Sequence, residues 1–138
     1  MFDHHGNLAV AEAGTNAVET FRVGSDGGLT SLGSVGTGQA ATCWVVRDGL
    51  LLFTSNAGSA NLSGIRIGAH GSLTLLCQTG TDVGTVDAAV SDGGRFLYVQ
   101  TGATGAVDAF AVHADGSLTT VGDVLVPGAV GAEGIVAA

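Results

Sequence analysis

Seven polar residues recur at matching places along this 138-residue chain, and their side chains are of kinds that hold ligands. Glu12, Asn56 and Gln100 follow one another at intervals of 44 residues. Gln39, Thr42, Asp87 and Glu133 lie at the start of short apolar runs that return at nearly the same interval. Carboxylates that converge can act as general acid and base, or hold a hard cation such as calcium. Amide and hydroxyl groups beside them can orient a polar ligand. The plainer alternative is a set of wet repeat positions whose polar atoms are satisfied by loop amides.

The remaining reactive side chains form no comparable set. His4 and His5 share a turn with Asp3, which suggests either a His/Asp metal site or an exposed turn. His70 and His113 fall in or beside turns, and Arg22 with Arg66 reads as a solvent-facing row. Trp44 reads as core. Cys43 and Cys77 have neither zinc-ligand spacing nor the density of a disulfide scaffold, so both are expected free, as small buried apolar residues. A Gly-x-Ser-x-Gly elbow, a P-loop and a dinucleotide fingerprint are all missing. No metal or cofactor is therefore expected, and no catalytic residue can be named.

Composition narrows the partners. The chain has four Lys plus Arg, all arginine, against twelve acidic residues, for a formal net charge of −8. Such a surface repels phosphate backbones, so nucleic-acid binding is excluded as an expectation. No apolar run reaches the roughly 18 residues of a membrane helix. Met1 to Asn7 has no basic or apolar region of a signal peptide, leaving cytoplasmic and exported compartments equally compatible. Twenty-four glycines against one proline, with 46% hydrophobic residues, imply a folded chain rich in tight turns.

The elements that carry these residues are repeats. Asp26-Gly27-Gly28-Leu29-Thr30, His70-Gly71-Ser72-Leu73-Thr74 and Asp115-Gly116-Ser117-Leu118-Thr119 lie 44 and 45 residues apart. A period of that size marks a repeated supersecondary unit. Within the second period, Thr42 to Val46, Leu50 to Ser55, Leu62 to Ile67 and Leu73 to Gln78 read as strands separated by turn residues. Four short antiparallel strands per repeat predict the blade of a β-propeller, an all-β fold. The repeats span approximately residues 1–41, 42–85 and 86–133, followed by a lone inner strand at 134–138.

Asp92-Gly93-Gly94-Arg95-Phe96-Leu97-Tyr98-Val99 resembles the "DGxxLYV" strand of the lactonase-like, YVTN-type seven-bladed propellers. Ala109 to Thr119 is similar to that family's "VFxVDxDGxLT" segment, and Gly134 to Ala137 to its "GIAV" innermost strand. The resemblance implies blades with strand A innermost and strand D outermost, and a ligand site around the D–A and B–C loops. It also implies lactone hydrolysis or muconate cyclisation, carried by Arg, His and Glu facing the channel. The loop before strand A often reads "HPR" in phosphogluconolactonase-like members. Here the two such loops, Thr37 to Ala41 and Asp82 to Val86, contain neither Arg nor His. Two functions are thus expected: a binding or scaffold module for a small molecule or protein at the channel face, or a lactone hydrolase or cycloisomerase needing residues from further blades.

In the family's order the chain begins at an A–B turn and ends on an A strand, giving twelve strands or three blades. That is too few to close a ring. The open seams are expected to be filled by further blades or by a second copy of the chain. Cys43 and Cys77 fall on the innermost and outermost strands of one blade. Three spacings of about 4.8 Å put them beyond disulfide reach.

Overall fold

The computed structural model describes residues 1–138. Its eleven strands form three antiparallel sheets that do not close on one another. Blade 1 contains β1 (Leu8–Glu12), β2 (Ala17–Val23) and β3 (Leu29–Gly36). Blade 2 contains β4 (Thr42–Asp48), β5 (Leu51–Asn56), β6 (Asn61–Ile67) and β7 (Leu73–Gly80). Blade 3 contains β8 (Thr85–Val90), β9 (Phe96–Thr101), β10 (Ala106–Val112) and β11 (Leu118–Leu125). Each sheet runs in chain order from its inner to its outer strand. The D–A and B–C loops gather on what we term the upper face, and the A–B and C–D turns on the lower face.

Alternation along the strands builds two cores. On β5, Leu51 and Phe53 point toward blade 3 and join Leu62, Ala88, Leu97, Val99 and Phe110. Leu52, on the opposite side of the same strand, points toward blade 1 and joins Ala9, Val18, Ile65 and Ile67. Side chains two apart share a sheet face, so a strand buried between two neighbours must be apolar on both. All six residues of β5 are buried for that reason.

The repeat extends to its irregularities. Each C–D strand pair carries a bulge at one position, between Thr20 and Phe21, Gly64 and Ile65, and Ala109 and Phe110. The extra residue on the outer strand is Leu32, Leu76 or Val121. A bulge re-aims its side chain, and here Leu32 and Leu76 come down on the next blade's C–D turn, at Gly71 and Gly116. Val121 has no following blade and is exposed.

Three expectations need correction: the last strand, the burial of the cysteines and the place of Trp44. Gly134 to Ala138 forms no strand. An inner strand is held by its outer neighbour, and none of the eleven strands pairs with this segment. The C–D turn of blade 2 contains a single 3-10 turn, Ala69–Gly71, with His70 in the left-handed region at φ 59°. Cys43 is exposed and Cys77 only half-buried, although both are free as expected. Trp44 is exposed rather than core, because β1 has no complete inner strand beside it to cover the ring.

Candidate ligand face

Pairing register decides which of the candidate residues are equivalent. The three B–C hairpins each close around a four-residue loop, between Glu12 and Ala17, Asn56 and Asn61, and Thr101 and Ala106. Thr42 pairs with Asn56 as Thr85 pairs with Thr101. Thr101, not Gln100, therefore stands where Asn56 and Glu12 stand. Asn56 and Thr101 are 45 residues apart, one more than Glu12 and Asn56, and a one-residue slip turns a side chain to the other side of its sheet. Gln100 points away from blade 2, on the flank where a fourth blade would sit. It is 8% exposed, and its Oε1 has no hydrogen-bond partner.

Three of the candidates do meet. The Thr42 hydroxyl donates to Asn56 Oδ1 at 2.7 Å and lies 3.0 Å from the Thr37 hydroxyl. Asn56 Nδ2 donates to Asn61 Oδ1 at 2.8 Å and to Ser63 Oγ at 2.9 Å. Asn61 Nδ2 in turn donates to Gln39 Oε1 at 2.6 Å. Thr42 and Asn56 are fully buried. Gln39, Thr42 and Asn56 thus form one satisfied network that ties the upper ends of blades 1 and 2 together.

Asp87 and Glu133 form the second group. Asp87 lies in the bulge of β8, is 8% exposed, and has Oδ2 3.9 Å from where a Cβ on Gly134 would stand. Both carboxylates act on Cys43: the residue keeps an exposed side, but neighbouring atoms partly desolvate its thiol and push it up, and the charges of Asp87 and Glu133 push it further. A thiol held protonated is a poor nucleophile. Glu12 stands apart at the end of β1, accepting a hydrogen bond from Thr15 Oγ at 2.9 Å.

Charge is sharply divided between the two faces. Glu12, Glu19, Asp82, Asp87, Asp108, Asp123 and Glu133 lie in the upper half of the blades. By strand direction, all four arginines and all four histidines lie in the lower half, beside the other five carboxylates. One sequence signal announces this arrangement: Arg and His occur only next to the A–B and C–D turns. The His/Asp pairing in the first turn is structural. Asp3 accepts the backbone amides of His5 and Asn7, each at 2.8 Å, and the Asn7 side chain at 2.8 Å. No group of three potential ligands has metal-binding geometry.

The description "Lactonase, 7-bladed beta-propeller" belongs to a family whose sequence profile matches residues 7–133. The chain belongs to this family. The periplasmic gluconolactonase of Pseudomonas aeruginosa superposes with a TM-score of 0.84 at 21% identity, over 91% of this chain and 39% of that one. A protein from Bacteroides fragilis, provisionally named a 6-phosphogluconolactonase, gives 0.83 at 22% identity, over 91% of this chain and 38% of that one. A functionally unknown protein from Desulfotomaculum acetoxidans gives 0.78 at 23% identity, over 92% and 42%. The chain spans about two fifths of the length of these structures. They share its fold. A comparison with curated proteins finds no match.

Proposed function

We propose that these three blades form one wall of a ligand channel that takes an uncharged, hydroxyl-rich ring such as a sugar lactone. The observation that carries this reading is the charge division: the upper face offers carboxylates and amides but no Arg or His. Carboxylates accept hydrogen bonds from hydroxyl groups and repel an anion. A phosphorylated lactone would find no counter-charge on the upper face of these blades. Asp87 and Glu133 are the residues we assign to ligand contact, with Glu12 at the rim. Gln39, Thr42 and Asn56 support the wall from behind through their shared network.

The test is a calorimetric titration of the chain with δ-gluconolactone and with its 6-phosphate. Binding of the neutral lactone, weakened in Asp87→Ala/Glu133→Ala, supports the proposal. Preference for the phosphorylated lactone that persists in Arg22→Gln, where the lower face has lost its guanidinium, would overturn it.

Family membership favours a second reading, in which the wall belongs to a lactone hydrolase. A carboxylate at Asp87 or Glu133 would then serve as general base toward a water attacking the lactone carbonyl, with the developing oxyanion stabilised from other blades. The sign of this activity is lactone opening above the spontaneous rate in a pH-stat assay, lost in Asp87→Asn.

A further inference from the structure

We propose that the lower cleft between blades 1 and 2 is a binding site for a tetrahedral oxyanion, built on Arg22, His5 and His70. The cleft has a volume of about 350 Å³ and is lined by His5, Asn7, Arg22, Leu32, Ala69 and His70. No carboxylate lines it. The nearest acid in the turn, Asp3, is 5% exposed and committed to the amides of His5 and Asn7. Those bonds fix the turn that presents His5. On the opposite rim His70 stands at φ 59°, a conformation that non-glycine residues seldom adopt.

The neighbouring junction provides an internal comparison. Arg66 occupies in blade 2 the place of Arg22 in blade 1: Arg22 pairs with Thr30 and Arg66 with Thr74. The packing below the two clefts is the same, Leu32 over Gly71 in one and Leu76 over Gly116 in the other. At the junction of blades 2 and 3, however, Arg66 Nη2 donates to the Ala114 carbonyl at 3.2 Å. The next residue there is Asp115, whose Oδ1 accepts the Ser117 amide and hydroxyl at 3.0 and 2.7 Å. At the first junction the corresponding residues are Ala69 and His70. One acid has become an imidazole, and the cleft keeps its guanidinium with no carboxylate in its lining.

A guanidinium presents paired N–H donors that match two oxygens of a phosphate, and imidazole N–H groups from both rims add donors toward the others. The recognised chemistry is therefore a phosphate group, free or as a monoester. This face is opposite the carboxylate face proposed for the lactone, and the two proposals stand or fall separately.

The test is an amide-resolved NMR titration of the 138-residue chain with inorganic phosphate and, separately, glucose 6-phosphate, at constant ionic strength. Saturable shifts should centre on Asp3–Asn7 and Ala69–Gly71, with a Kd of about 1 mM or tighter. Arg22→Gln and His70→Asp should each weaken binding tenfold or more. His70→Asp restores the residue found in the other two repeats, so the turn should keep its fold. Arg66→Gln should leave binding unchanged. Tighter binding of the ester would identify a phosphomonoester as the source, and equal binding the phosphate group alone. Absence of saturation by about 10 mM, unchanged binding in both cleft variants, or equal loss in Arg66→Gln would overturn the site.

Discussion

Leu32 of blade 1 rests on Gly71 of blade 2, its Cδ1 2.6 Å from where a Cβ on that glycine would stand. Leu76 repeats the contact on Gly116 at 2.5 Å. Adjacent blades are thus registered by a bulged leucine seated on a glycine with positive φ. Gly71→Ala should cost roughly 2–4 kcal/mol, from backbone strain together with overpacking. Gly27→Ala has a similar φ but open space around it, and should cost only about 1–2 kcal/mol. Urea unfolding of the two variants checks the difference.

Asn56 separates structure from ligand binding at the upper face. Its replacement by alanine leaves Thr42, Asn61 and Ser63 without their shared partner, and should cost about 2–3 kcal/mol. Asp87→Ala with Glu133→Ala should change ligand binding while moving the melting temperature little. A large loss of melting temperature with unchanged binding in the double variant would place the carboxylates in the scaffold instead.

Stability should depend on pH through two carboxylates of opposite sign. Burial raises the Asp3 pKa, but hydrogen bonds from the Asn7 side chain and the backbone amides of Asn7 and His5 outweigh it and hold it below its ordinary 3.8. Its contribution is present above the unfolded value and is lost as pH falls through the folded one. Burial pushes Asp108 up, as do the charges of Asp82 and Asp123, against a hydrogen bond from the Asp82 amide. Its stability contribution is present in acid and is lost as pH rises through its folded pKa. In urea titrations, Asp3→Asn should therefore destabilise at neutral pH and converge on the wild type in acid. Asp108→Asn keeps an acceptor for Asp82 and should stabilise at neutral pH, with no gain below about pH 4.

Much of the fold was legible because repetition is a strong signal. The recurring Asp-Gly-x-Leu-Thr phrase placed three C–D turns, and alternating apolar residues placed the strands within a residue or two. Repetition also misled. Counting 44 residues from Asn56 gives Gln100, whereas one added residue makes Thr101 the true equivalent, and only the hydrogen-bond register reveals it. Gly134 to Ala138 has a strand's composition but no neighbour to pair with. The oxyanion cleft was hidden because its residues come from an A–B turn, a C strand and the next blade's C–D turn.

The unpaired seam should recruit a partner. Met1 and Phe2 cover only the start of β1, through Met1–Ala9 hydrogen bonds of 2.9 and 2.7 Å and a Phe2–Leu8 bridge. Beyond them lies an apolar groove of about 260 Å³, lined by Met1, Ala9, Val10, Ala11, Cys43, Trp44 and Val45. Open strand edges pair with other chains, and we propose that Gly134–Ala138 of a second copy fits this groove. Two copies would bring six blades, one fewer than the family's seven. Light scattering of the chain at tens of micromolar should show self-association, abolished by deleting Gly134–Ala138. A stable monomer would contradict this.

The proposed ligand face is tested most directly by amide-resolved NMR of the chain titrated with δ-gluconolactone. Shifts should saturate at Thr85–Ala88 and Glu133–Ile135, leave the A–B and C–D turns unmoved, and vanish in Asp87→Ala/Glu133→Ala. Shifts confined to the lower face, or identical shifts in the double variant, would contradict a ligand wall built on these carboxylates.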